Sequence, residues 1–161
     1  MGVILQIDQL LRDIKPTPKT SIAKQLHDIA LMMKRRSFVI LISDLFSDVD
    51  DILAGLDHLR HDGHNVVVMH TLDPYEIEFP FKGTWQFDGL EGEEPLTTQP
   101  ERIRDNYLAS FGEYLEALKA GCVASHIDYT TVDTSRPLDG LLSEFFHLRQ
   151  STLNGGSADR I

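Results

Sequence analysis

Four aspartates stand where a parallel sheet would expose them. Asp44 follows the apolar run "VILIS", Asp73 follows "MHTL", Asp133 follows "YTTV", and Asp48 lies just beyond Asp44. Carboxylates gathered in this way suit a hard divalent cation, because Mg²⁺ takes oxygen ligands in octahedral array and keeps several of its waters. The competing reading is local: an aspartate at a strand-to-helix turn accepts exposed backbone N–H groups and caps the next helix. Asp73 and Asp133 are read as caps or turn formers first. Asp44 is read as a ligand first, because Ser47 and Asp48 behind it can do the capping. If all four carboxylates converge, the enzyme they could build is an Mg²⁺-dependent phosphoesterase or nuclease with water as the nucleophile.

Other chemistry is sparse. No Gly-rich phosphate loop, zinc-protease helix motif or nucleophile elbow occurs. His58, His61 and His64 fall on the polar side and end of one helix and are read as solvated, with a metal site as the alternative. His70 ends a strand; it is read as a hydrogen-bonded core histidine, with a base beside Asp44 as the alternative. Cys122 has no basic neighbour in sequence and reads as an inert packed thiol. Trp85, Phe79, Phe81 and Phe87 read as an insertion packed on the sheet, with an exposed recognition surface as the alternative.

The chain has 161 residues, enough for one domain with one sizeable core. Its formal net charge of −10 would repel a phosphate backbone, which argues against nucleic acid as a partner. The longest apolar stretches are too short to cross a bilayer, and the N-terminus lacks the features of a signal peptide. A single cysteine excludes an internal disulfide and a cysteine-built zinc cluster, so a cytoplasmic location is expected. The basic cluster Lys34-Arg35-Arg36 sits at an expected helix end, where cations complement the helix dipole.

Periodicity supplies the helices and strands that would hold these residues. Apolar residues at Val3, Ile4, Ile7, Leu10, Leu11 and Ile14 make one helical stripe, which the prolines of "KPTPKT" end. Thr20 or Ser21 can cap a second helix whose buried face is Ile22, Leu26, Ile29, Ala30 and Met33. Phe38 to Ile42 is apolar at every position, the pattern of a central strand covered on both faces. A helix through Ile52, Leu53, Leu56 and Leu59 stops at Gly63, and Val66 to Met69 makes a second strand. The unit repeats with a long helix ending near Gly121, a strand from Ile127 to Val132 and a helix from Leu138 to Leu148. The fold class is α/β: three layers, a mainly parallel sheet flanked by helices, Rossmann-like. One domain is expected over 1–150, with an insertion at about 74–100 that carries a small hairpin, and a flexible tail over 151–161.

The stretches "FVILISDLFSD", "LRHDGHNVVVMHTLDPYEIEFPF" and "YLEALKAGCVASHIDYTTVDTSRPLDGLL" resemble the MoxR-associated family that carries domain of unknown function 58, a von Willebrand factor A-like fold. The likeness runs from about Leu10 to Arg149. It implies a cation site made of an Asp-x-Ser-x-Ser loop, a threonine and an aspartate. Thr20 and Asp44 match the last two, and the first does not occur. The chain therefore resembles the C-terminal part of such a domain, lacking its first strands. Its site is expected to be vestigial, with no tightly bound cofactor and with Mg²⁺ or Mn²⁺ held weakly. In the order 3-2-1-4-5-6, the missing first strand would have covered Phe38, Val39, Ile40, Leu41 and Ile42. That leaves an open edge expected to recruit a second copy or a partner. The resemblance implies a noncatalytic adaptor acting beside a MoxR-type AAA+ ATPase.

Overall fold

A computed structural model describes residues 2–13, 22–89 and 94–155. The first apolar stripe forms α1 (Gly2–Asp13), and α2 (Ile22–Met32) follows. The proline-bearing connection between them, including Thr20, lies outside the described residues. Leu26 and Ala30 of α2 are buried, but Ile29, expected beside them, is exposed. Leu26 and Ala30 sit four residues apart on the stripe that meets the next helix, and Ile29 falls to its side.

The two apolar runs become β1 (Phe38–Ser43) and β2 (Asn65–Leu72), joined by α3 (Val49–His61). Asp48 caps α3 at its start. Gly63 takes φ +83° in the turn after it, a left-handed conformation that glycine adopts without a Cβ penalty. Helix α3 packs closely on α2, because Gly55 has no side chain: a Cβ there would stand 3.0 Å from Leu26 Cβ.

After β2 come α4 (Pro74–Glu78) and an antiparallel hairpin, β3 (Trp85–Phe87) with β4 (Leu96–Thr98). This is the expected small hairpin. Phe81 packs edge-on against Phe79, Trp85 and Phe87, and Phe79 stacks on Tyr107 at 4.3 Å between ring centres. The insertion is thereby fastened to α5 (Arg104–Ala124), which ends three residues beyond Gly121. The last strand is β5 (Asp128–Asp133). Helix α6 (Leu138–Gly155) continues past Leu148 into the segment expected to be a tail, and residues 156–161 lie outside the described residues.

The sheet has the order β1-β2-β5 and is parallel throughout. Strand β2 is central: Val66, Val67 and Val68 are fully buried. The expectation of a central, doubly covered Phe38 to Ile42 is thus corrected, because among the described residues β1 is an edge strand. Its odd-numbered residues Val39 and Leu41 meet the main core of α2, α3 and α5. Its even-numbered residues project from the other face. There α6 covers β2 and β5, with Phe145 on Val67 and Met69, and leaves Phe38, Ile40 and Ile42 at 52%, 49% and 65% exposure. The Arg149 guanidinium stands 4.6 Å above the Phe38 ring.

Candidate functional site

The carboxyl ends of β1, β2 and β5 bring Asp44, Asp73 and Asp133 to one edge of the sheet, but each turn employs its own carboxylate. Asp48 Oδ1 accepts from the backbone N–H of Asp50 at 2.9 Å and of Asp51 at 3.4 Å, capping α3. Asp73 Oδ1 accepts from Tyr75 N–H at 2.8 Å while Glu76 Oε2 accepts from Asp73 N–H at 2.9 Å, a reciprocal capping box on α4. Asp133 Oδ1 accepts from both the hydroxyl and the backbone N–H of Ser135, at 2.7 and 2.9 Å. These bonds hold its carboxyl below the ordinary range.

Asp44 differs. Its Oδ1 is 3.4 Å from Ser43 Oγ and 3.4 Å from Phe46 N, contacts at the long limit, and the side chain is exposed. Among the described residues no group of three or more His, Cys, Asp or Glu is placed to hold a metal ion. An octahedral cation needs several convergent oxygens. The described donors therefore do not fit one, and Thr20 lies outside the described residues.

The loop carrying Asp44 is held from behind. Asp44 C=O accepts from His70 Nε2 at 2.8 Å. A carbonyl can only accept, so Nε2 carries the hydrogen, Nδ1 is the acceptor, and Tyr129 O–H donates to it at 2.7 Å. His70 is 1% exposed, and burial pushes its pKa down despite the neighbouring Asp44 carbonyl and carboxylate. It is the core histidine rather than a base with a free nitrogen. Leu45, at φ +51°, turns its side chain fully into the core, and Tyr114 O–H donates to the carbonyls of Leu45 and Ser47.

Beside this loop is a cavity of about 320 Å³ walled by Phe46, Leu72, Tyr107, Phe111 and Tyr114, with Asp44 and Glu76 at its rim. Tyr107, Phe111 and Tyr114 recur at helical spacing on α5. That stripe is visible in the sequence, but nothing there shows that it faces the Asp44 loop. Burial raises the pKa of both Tyr107 and Tyr114. A second cavity, about 380 Å³, lies on the opposite face between Ile42, Met69, Thr130 and Phe145, bordered by the Arg136–Glu144 ion pair at 2.7 Å.

Two histidines correct the expectation of a solvated group. His64 is 1% exposed and its Nδ1 accepts from Ser37 N–H at 3.1 Å, because the chain doubles back beneath Gly63 to start β2. His58 is partly covered by His27, with Nδ1 atoms 2.9 Å apart. Cys122 is buried, and burial pushes its thiol up to about 11, as a packed thiol requires.

In comparison with known proteins, residues 2–114 match the family described as "Protein of unknown function DUF58". No curated protein and no solved structure matches.

Proposed function

Because the chain belongs to the DUF58 family of proteins of unknown function, we propose that it is a noncatalytic interaction module of von Willebrand factor A-like type that works beside a MoxR-type AAA+ ATPase. The observation that carries this reading is the apolar edge strand. Phe38, Ile40 and Ile42 lie open on a strand whose outer side has no neighbour among the described residues, and such an edge is a template for another polypeptide. The carboxyl edge supports it too. Asp48, Asp73 and Asp133 cap their own turns and His70 is fully bonded, which leaves Asp44 with no converging partner for hydrolysis among the described residues.

Any cation at Asp44 is held mostly by water, so Mg²⁺ and Mn²⁺ bind weakly. Calorimetric titration tests this. Tight binding abolished by Asp44→Ala, accompanied by phosphatase or nuclease turnover, would replace the adaptor with a metal-dependent hydrolase. The adaptor itself is tested by biolayer interferometry against a purified MoxR-type ATPase. Saturable binding at about 10 µM or tighter that is lost in Ile40→Lys is the expected result. No binding at about 100 µM, with or without ATP, would refute the assignment.

A further inference from the structure

The cavity beside the Asp44 loop carries charge of one sign. Asp44 and Glu76 stand at its rim, and no lysine or arginine is among the described residues that line it. Arg104, one turn before Tyr107 on α5, is engaged elsewhere: its guanidinium donates to the carbonyls of Glu78 at 2.8 Å and Phe79 at 3.2 Å. Glu76 Oε2 accepts from Asp73 N–H at 2.9 Å, a neutral donor that fixes the carboxylate in place and leaves its charge. Asp44 Oδ1 has only the two contacts at 3.4 Å. Their fields reach inward. Burial raises the Tyr107 pKa and Glu76 adds to the rise; burial raises that of Tyr114, and Asp44 and Asp48 add to it.

The walls are aromatic and already assembled. Tyr107 stacks on Phe79 at 4.3 Å and on Phe111 at 5.6 Å between ring centres, the second pair with planes 12° apart. Tyr114 has its hydroxyl tied to the carbonyls of Leu45 and Ser47, so its contribution to the wall is the ring. Aromatic faces attract cations, and more strongly where water is partly excluded. The cavity stands clear of the outer edge of β1. Its walls come from α5, α4, the end of β2 and the loop beyond β1, whereas a strand added beside β1 would lie on the side away from β2.

We propose that this cavity takes an arginine side chain of a partner polypeptide, its guanidinium against the rings of Phe111 and Tyr114 and its N–H groups toward Asp44 and Glu76. A flat guanidinium stacks on aromatic faces and presents a fork of donors to carboxylates, whereas an ammonium acts as a point charge. A volume of about 320 Å³ lies at the low end for ligand sites and suits one long side chain. Phe46, 94% exposed at the mouth, would stay bare above a small free cation and is covered when the ligand continues as main chain. The proposal rests on the adaptor reading in taking a polypeptide as the partner, and it makes no use of the β1 edge.

Amide chemical-shift titration of the 161-residue chain with the peptide acetyl-Gly-Arg-Gly-amide tests it. A dissociation constant of about 1 mM is expected, with shifts concentrated at Phe46, Glu76, Tyr107, Phe111 and Tyr114. Citrulline in place of arginine keeps the shape and removes the charge; it should bind roughly tenfold more weakly, and lysine roughly threefold. Glu76→Gln keeps the cap acceptor, and Phe111→Leu keeps an apolar wall without a ring. Each should weaken arginine-peptide binding by about three- to tenfold, with amide shifts remote from the cavity unchanged. Equal binding of the arginine peptide and either substituted peptide, equal binding by wild type and Phe111→Leu, or no shift at about 10 mM peptide would overturn the proposal. Methylguanidinium binding as tightly as the peptide would overturn it in favour of a free cation. Peptide binding by a chain that does not bind the ATPase would keep the arginine site and reject the ATPase as its partner. ATPase binding without peptide binding would reject the arginine site and leave the adaptor standing.

Discussion

Tyr129→Phe removes one atom from the support of the Asp44 loop and leaves the ring in place. Its hydroxyl donates to His70 Nδ1 at 2.7 Å, and His70 in turn holds Asp44 C=O at 2.8 Å. Without the hydroxyl, a buried ring nitrogen loses its donor, which costs about 1–3 kcal/mol. For a chain of this size that corresponds to a fall in Tm of roughly 3–10 °C. The same site carries a pH signature. Burial lowers the His70 pKa below its unfolded value of 6.5, so as pH falls the unfolded chain takes up the proton first. Stability from neutral His70 is complete above pH 6.5 and is lost below it, with a slope of at most about 1.4 kcal/mol per pH unit. Urea unfolding of wild type, Tyr129→Phe and His70→Gln at pH 7.5, 6.5 and 5.5 measures both effects. His70→Gln, which cannot titrate, should show a shallower loss between pH 6.5 and 5.5 than wild type. A Tyr129→Phe change within about 0.3 kcal/mol, well below the cost of an orphaned buried acceptor, or equal slopes for wild type and His70→Gln, would refute the tautomer and the burial argument together.

Asp48→Ala should destabilise by about 1 kcal/mol in chemical denaturation through loss of the α3 cap, whereas Asp48→Asn should cost only a few tenths, as caps but not carboxylate ligands tolerate the amide. Gly63→Ala should cost about 1–2 kcal/mol in the same assay, because φ +83° is strained for any residue with a Cβ; an unchanged midpoint would refute the left-handed turn. Cys122, its thiol pushed up to about 11 by burial, should resist a thiol-reactive chromogenic disulfide at pH 8 in the native state and react at once in denaturant.

The three strands were legible as apolar or β-branched runs bounded by turn residues, and their spatial order β1-β2-β5 is the one that the family resemblance implied. The edge position of Phe38 to Ile42 was not legible from periodicity, since a run of apolar residues reads alike whether a helix covers its second face or none does. The family resemblance, through its strand order, is what pointed to an edge. The capping roles of Asp48, Asp73 and Asp133 were visible as local patterns within three residues of each aspartate. The bonds from His70 and Tyr114 to the Asp44 loop join residues 26 and 69 positions apart, and no local pattern encodes them. The bond that His64 accepts escapes local patterns for a related reason: its donor, Ser37 N–H, lies just before β1 and reaches it through the parallel pairing of β1 and β2.

Phe46 is 94% exposed, yet the backbone on both sides of it is fastened, by His70 at Asp44 and by Tyr114 at Leu45 and Ser47. An apolar ring on a rigid loop can enter a complementary hollow without first giving up backbone freedom, so little of the contact energy is consumed in ordering. Such a residue discriminates by fit: a receptor cleft of the wrong depth cannot be rescued by the loop adjusting to it.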